Sequence, residues 1–297
     1  MKDSTKLTDL LFFLWQKKIL VISFTFITTL IAVIYAINLP NIYQSKAVLE
    51  TNNFDTSEKA NSMGGISGIS GIGGIAIPAR NTTKTELGIA VVRSHSFFEE
   101  IYNKYDILPQ LMAAESWNPK TNVLTYDQNI YDEKNKSWVR KVTSPKQPKP
   151  TTQEAHRVFL KQMKTSMTKD DALVVISYDH ISSEFAREFI EIIISEVNNI
   201  FLEKEVKEGE ISVQYLNEQV AKTELSELRS GLSELIQKEI SAIMIAKANP
   251  DFLFTIIDAP ISPERKSSPQ RSLIAFLGLV IGLLTSSFYV LLRKAFK

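Results

Sequence analysis

Two uncharged apolar runs stand near the ends of this 297-residue chain, at residues 19–39 and 272–292. A helix crosses the roughly 30 Å hydrocarbon core of a bilayer with about 20 residues. Each run is that long, so a water-soluble globule is excluded and the chain reads as a two-span membrane protein. The average composition hides this, because 44% hydrophobic and 23% charged residues would also suit a soluble domain. Lys and Arg number 34 against 33 Asp and Glu, so no global field recruits nucleic acid. With no cysteine, disulfides, Cys-ligated zinc, iron–sulfur clusters and thiol nucleophiles are excluded too.

A cleaved signal peptide is the competing reading of the first run. Its apolar core would be shorter and would end at a small-x-small site, which Asn38-Leu39-Pro40-Asn41-Ile42 does not offer. Ser23, Thr25, Thr28 and Thr29 are tolerated in a span because short hydroxyls bond back to helix carbonyls. Lys2, Lys6, Lys17 and Lys18 precede the first span, and Arg293, Lys294 and Lys297 follow the second. Fewer basic residues, Lys46, Arg265, Lys266 and Arg271, flank the inner edges of the pair. That bias places both termini in the cytoplasm. The expected organisation is a cytoplasmic tail 1–18, span 19–39, outer domain 40–271, span 272–292 and cytoplasmic tail 293–297. Tails this short hold no catalytic domain, so the chain acts outside the cell membrane or within it.

The outer domain reads as α+β. Residues 43–50 suit a strand leaving the membrane. Residues 64–77 hold six of the eleven glycines, punctuated by Ile. They match neither GxxxxGK[ST] nor GxGxxG, so a mobile loop fits better than a phosphate cradle. Thr83-x-x-Glu86 is a capping box opening a helix through about Tyr105. Residues 116–150 are polar and turn-rich. A second capping box, Thr151-x-x-Glu154, starts another helix, and the β-branched run 172–178 is a buried strand. From Ser183 to Lys247 the chain reads helical, with apolar residues spaced by three and four. One long extended helix, shared with neighbouring subunits and broken or bent at Gly209 and Gly231, is the favoured reading. A hairpin folded on itself is the alternative. Residues 252–257 then return as a strand to a membrane-proximal mixed sheet.

Chemical motifs are scarce. His95, His156 and His180 stand in no HExxH and read as surface or helix-packing residues. GxSxG and SxxK are missing, and the adjacent pairs Glu99-Glu100 and Asp170-Asp171 point apart on a helix. No catalytic, cofactor-binding or metal-binding residue is assigned, no cofactor is expected, and an enzyme is not indicated. Two structural series do stand out. Pro260, Pro263 and Pro269 fix φ and prevent helix, which makes residues 258–271 a stiff connector. Gly278, Gly282 and Ser286 recur every four residues, giving the second span a small-residue face suited to close helix packing.

The order of these pieces resembles the chain length determinant family, the Wzz-type polysaccharide co-polymerases of Gram-negative bacteria. The resemblance is densest at Ile257-Asp-Ala-Pro-Ile-Ser-Pro263, Ser268-Pro269, Leu273-Ile274, Gly278 and Gly282. Leu39-Pro40-x-x-Tyr43, Val92-Arg93-Ser94 with Phe97-Phe98, Ile176-Ser177-Tyr178-x-His180 with Ser183-x-x-Ala186, and Tyr215-Leu216-Asn217-Glu218 are similar to further family segments. The resemblance implies a homo-oligomeric ring in the inner membrane with a periplasmic main domain. It also implies partnership with a separate polysaccharide polymerase, a lipid-linked glycan and membrane lipid, and none with nucleic acid. The role implied is to set the length of a surface polysaccharide, usually lipopolysaccharide O antigen, without catalytic residues. Larger relatives carry a tyrosine kinase after the second span, and this sequence implies none. A two-span sensor would need a cytoplasmic output module, and a periplasmic export adaptor usually has one span or a lipid anchor.

Overall fold

The computed structural model describes residues 17–52, 84–168 and 173–295. They fall into two units, Met1–Tyr43 with Glu264–Lys297, and Gln44–Pro263. The Gly/Ile run 64–77, the Thr83 cap and the terminal tails 1–16 and 296–297 lie outside the described residues.

Helix α1 (Lys18–Asn38) forms where the first uncharged run predicts it. Strand β1 (Tyr43–Thr51) follows, with Ala47 and Leu49 fully buried on its inward face. The helix expected to run through Tyr105 is two helices, α2 (Lys84–Val92) and α3 (His95–Lys104). Ser94 causes the break. Its hydroxyl accepts the Phe97 N–H at 3.2 Å, so it caps a new helix rather than continuing the old one. The restart turns Phe97, Phe98 and Ile101 into the core.

After the short α4 (Leu108–Ala113), the polar stretch holds more structure than its composition suggests. Strand β2 (Ala114–Asn118) pairs antiparallel with β3 (Val123–Tyr126), and β4 (Tyr131–Asp132) pairs with β5 (Ser137–Trp138). Asn122 and Lys136 take positive φ at the two hairpin turns. Helix α5 (Thr152–Gln162) has both arms of its capping box, between Thr151 and Glu154. Arg140 reinforces this corner by donating to Glu154 and to the carbonyls of Gln147 and Pro148. That guanidinium hydrogen bond, with the Thr151 N–H, holds the Glu154 carboxyl below its ordinary range.

Strand β6 (Met163–Met167) runs antiparallel to β7 (Leu173–His180), whose Val174, Ile176 and Tyr178 face inward. Next come α6 (Ser183–Lys222), α7 (Ser226–Ala248) and β8 (Phe254–Asp258), which pairs antiparallel with β1. The sheet order is β6-β7-β1-β8. The first turns of α6 and the face of α5 contribute to one aromatic core. Phe189 stacks on Phe185 at 5.3 Å and meets Tyr178 edge-on at 4.8 Å. Asn198 serves this core from within α6. Its amide donates to Phe254 O at 2.9 Å and accepts from the N–H groups of Leu253 and Phe254. One side chain thus satisfies three backbone groups that burial would otherwise leave costly.

The continuous helix favoured over 183–247 does not form. Helix α6 ends at Lys222, where the Thr223 hydroxyl donates to Gln219 O at 2.7 Å, and α7 folds back along it. The hairpin wins because it covers part of each apolar stripe within one chain. Gly209 is no bend. A Cβ there would stand 2.8 Å from Ile243 Cγ1, so this glycine lets the two helices approach. Gly231 has nothing within 4 Å and does not break α7 either. Across the hairpin, Lys247 reaches Glu210 at 3.4 Å. The chain ends in α8 (Arg271–Ala295), built from the second apolar run.

Candidate functional site

The two apolar helices are the best-defined feature of the unit that contains them. Both are long and apolar enough to cross a membrane. They run side by side in opposite directions, since Gly278 lies beside Ala32 and Gly282 beside Thr28 and Thr25. A Cβ on Gly278 would stand 2.4 Å from the Ala32 Cβ, and one on Gly282 would stand 2.0 Å from Thr28 Oγ1. Neither position has room for any side chain. Ser286, one turn further along, is 1% exposed, and Thr25, which faces Gly282, is 8% exposed.

The hydroxyls along this seam do not reach across it. Thr25 donates to Val21 O at 2.8 Å, Thr28 to Thr25 O at 2.9 Å, and Ser286 to Leu283 O at 3.1 Å. Each satisfies itself on its own helix, so these hydroxyls add no bond across the seam, where the two helices meet in close van der Waals contact. Phe24, Phe26, Ile31, Phe276, Ile281 and Phe288 point outward, which is the arrangement a lipid surround favours.

No helix forms between Asp258 and Arg271. The three prolines expected to stiffen that connector divide between the units. Pro260 and Pro263 belong with the outer one and Pro269 with the spans. Pro260 is buried, and the Ser45 hydroxyl donates to Ile261 O at 2.8 Å beside it. Ser262 donates to Glu184, whose carboxyl Arg187 and this hydroxyl together hold below its ordinary range. Within the unit of the spans, Ile42 and Ser268 form a β-bridge, with Ile42 N–H donating to Ser268 O at 2.9 Å and Ser267 N–H to Ile42 O at 2.8 Å. The Ser268–Pro269 peptide is cis. The sequence places the three prolines in one segment, and the structure gives that segment backbone partners on each side.

The histidines separate. His95 and His156 meet edge-on at 5.4 Å, with His156 Nε2 3.1 Å from Arg93 O. His180 departs from the surface or helix-packing reading. It sits in β7, 2% exposed, with Nε2 on Gln110 O at 3.0 Å and Nδ1 accepting the Ser182 N–H at 3.1 Å. Burial pushes its pKa down to about 4, so the ring is neutral and one tautomer satisfies both partners. Among the described residues no group of three or more His, Asp or Glu could hold a metal ion. Sequence reasoning also missed Glu196. This buried carboxylate accepts from Lys104 Nζ and Tyr105 Oη, both at 2.7 Å. Its only signal was a charge inside an apolar helical stripe.

Residues 3–105 match the family model described as Wzz, chain length determinant protein. The resemblance read from the sequence holds there. No curated protein matches the chain. Among solved structures, a full-length bacterial polysaccharide co-polymerase is 14% identical, with 98% of each chain covered and a TM-score of 0.39. A fragment of the WzzB co-polymerase from Salmonella Typhimurium is 12% identical over 77% of this chain and 100% of that one, with a TM-score of 0.29. A mutant of the WzzB lipopolysaccharide O-antigen chain-length regulator from Shigella flexneri is 12% identical over 76% of this chain and 100% of that one, at 0.21. The Wzz match ends at Tyr105, at the C-terminal end of α3, so the hairpin α6–α7 and the span α8 lie outside it.

Proposed function

We propose that this chain regulates the length of a surface polysaccharide, lipopolysaccharide O antigen, from the inner membrane and without catalysing a reaction itself. The match of residues 3–105 to the Wzz chain length determinant model carries the reading. The two apolar helices near the ends of the chain support it, because they frame an outer domain at residues 40–271. In the proposed topology both termini are cytoplasmic and that domain is periplasmic, following the excess of Lys and Arg outside the two spans. The protein works as a homo-oligomer beside a separate polymerase that elongates a lipid-linked glycan. Exposed apolar residues on the hairpin support the oligomer. Ile211, Tyr215, Leu225, Leu228, Met244 and Ile245, on α6, α7 and the turn between them, are each more than half exposed, and a neighbouring copy would bury them.

Deleting the gene and running the surface polysaccharide on a gel tests this reading. A regulator changes the distribution of lengths, so polymer persists without its preferred size. Complete loss of polymer would contradict the reading and point to an enzyme or an export component.

A further inference from the structure

Positive charge gathers where α1 stops and α8 starts. Arg271 is the first residue of α8. Its Nε donates to Ala36 O at 3.1 Å and its Nη2 to Asn41 Oδ1 at 3.2 Å. Lys266 Nζ donates to the same Asn41 oxygen, also at 3.2 Å. Two full cations therefore converge on one neutral amide, and neither forms an ion pair with a described residue. The β-bridge between Ile42 and Ser268 ties together the two segments that carry Asn41 and Lys266. Arg271 has used two of its five N–H donors and Lys266 one of its three, so both keep donors for a further acceptor.

Cations held this close repel unless an anion joins them. The height of the pair indicates which anion. Arg271 reaches a carbonyl in the last turn of α1, so both charges lie where the apolar helices end and a bilayer presents its headgroups. Guanidinium and ammonium groups both suit phosphate. In the topology proposed above, basic residues on this flank run against the positive-inside bias, which gives their presence here a reason to be sought.

We propose that Lys266 and Arg271, joined through Asn41, bind the phosphate of an anionic membrane lipid. The inference rests on the two-span reading and involves no polysaccharide. Inorganic phosphate offers the same chemistry in water, but the level of the site at the helix ends favours the lipid.

The full chain, purified in detergent and stripped of lipid, can be titrated with phosphatidylglycerol, phosphatidylcholine or inorganic phosphate and read by native mass spectrometry. Wild type is expected to hold phosphatidylglycerol in preference to phosphatidylcholine. Lys266→Gln with Arg271→Gln should weaken that binding about 30-fold, the effect of losing two interfacial cations. Lys266→Arg with Arg271→Lys keeps the charges and should retain wild-type affinity, which separates lost binding from lost folding. Arg265→Gln, beside the site but not on Asn41, should bind as wild type does. Equal affinity in wild type and the glutamine double variant would overturn the proposal. So would loss of binding in the charge-keeping variant, or capture of inorganic phosphate with no lipid preference. Failure here would leave the length-regulator reading standing, since no glycan enters the measurement.

Discussion

Two antiparallel helix pairs occur in this chain, and glycine serves them differently. In the spans, Gly278 and Gly282 face Ala32, Thr28 and Thr25 so closely that a Cβ at either glycine would clash. In the hairpin α6–α7, Gly209 makes one close approach to Ile243, while Gly231 faces open space. The solvents explain the difference. Within a bilayer apolar groups would have no reason to hide, so close contact between backbones does most to hold two such helices together. Water drives apolar residues together by itself, and the hairpin needs closeness at few points. The hairpin still leaves Tyr215, Leu225 and Met244 more than half exposed.

The comparison breaks first at Gly282. Leu at this position must enter space held by Thr28 Oγ1 and the Thr25 Cα, and backbone does not yield. Gly282→Leu should destabilise the span pair by about 3 kcal/mol, the upper range for overpacking, when unfolding is followed in detergent. A wild-type unfolding midpoint in this variant would show that the seam is loose.

Ionisation sharpens the contrast. The span seam is built of Gly, Ala, Ser and Thr, whereas the outer unit buries His180 as a neutral ring with a pKa pushed down to about 4. Its ordinary value is about 6.5, so unfolding takes up a proton between those limits. Stability of the outer unit should therefore fall as the pH drops from about 6.5, by about 3 kcal/mol in total on reaching pH 4. His180→Gln should flatten that part of the unfolding profile. An unchanged pH slope in the variant would assign the acid sensitivity to other groups.

Smaller effects follow in the hairpin. Gly209→Leu meets the Ile243 side chain, which can move at a half-open surface, and should cost about 1 kcal/mol in denaturant unfolding. Gly231→Ala should stabilise by about 0.5–1 kcal/mol, because nothing obstructs the new methyl and alanine favours helix. If Gly231→Ala were instead destabilising while the oligomer dissociated, a neighbouring copy would be pressed against that glycine.

Much of this architecture was legible where one local signal suffices. An uninterrupted apolar run forecasts a span, Thr151 and Glu154 announce their own helix, and the β-branched residues before Tyr178 mark a buried strand. The hairpin was harder to see. Its turn at Thr223–Leu225 contains neither Gly nor Pro, and the glycine that drew attention, Gly209, serves a contact with Ile243 on a different helix. Spacing along one helix cannot show which partner covers its stripe. The break at Ser94 was readable in principle, since Ser94 stands three residues before the Phe97 N–H it accepts. The face of Gly278, Gly282 and Ser286 was visible as a series, but its position against α1 depends on the other end of the chain. The convergence of Lys266 and Arg271 on Asn41 joins residues more than 220 positions apart and has no local signature.

Length control itself is tested most directly by restoring the gene to its deletion strain under an inducible promoter and following the surface polysaccharide on gels. The account predicts that induction gathers a broad spread of lengths into one preferred band while the total amount of polymer stays constant. If the amount of polymer rises with induction and the spread of lengths does not change, the chain supplies synthesis or export and the account is wrong.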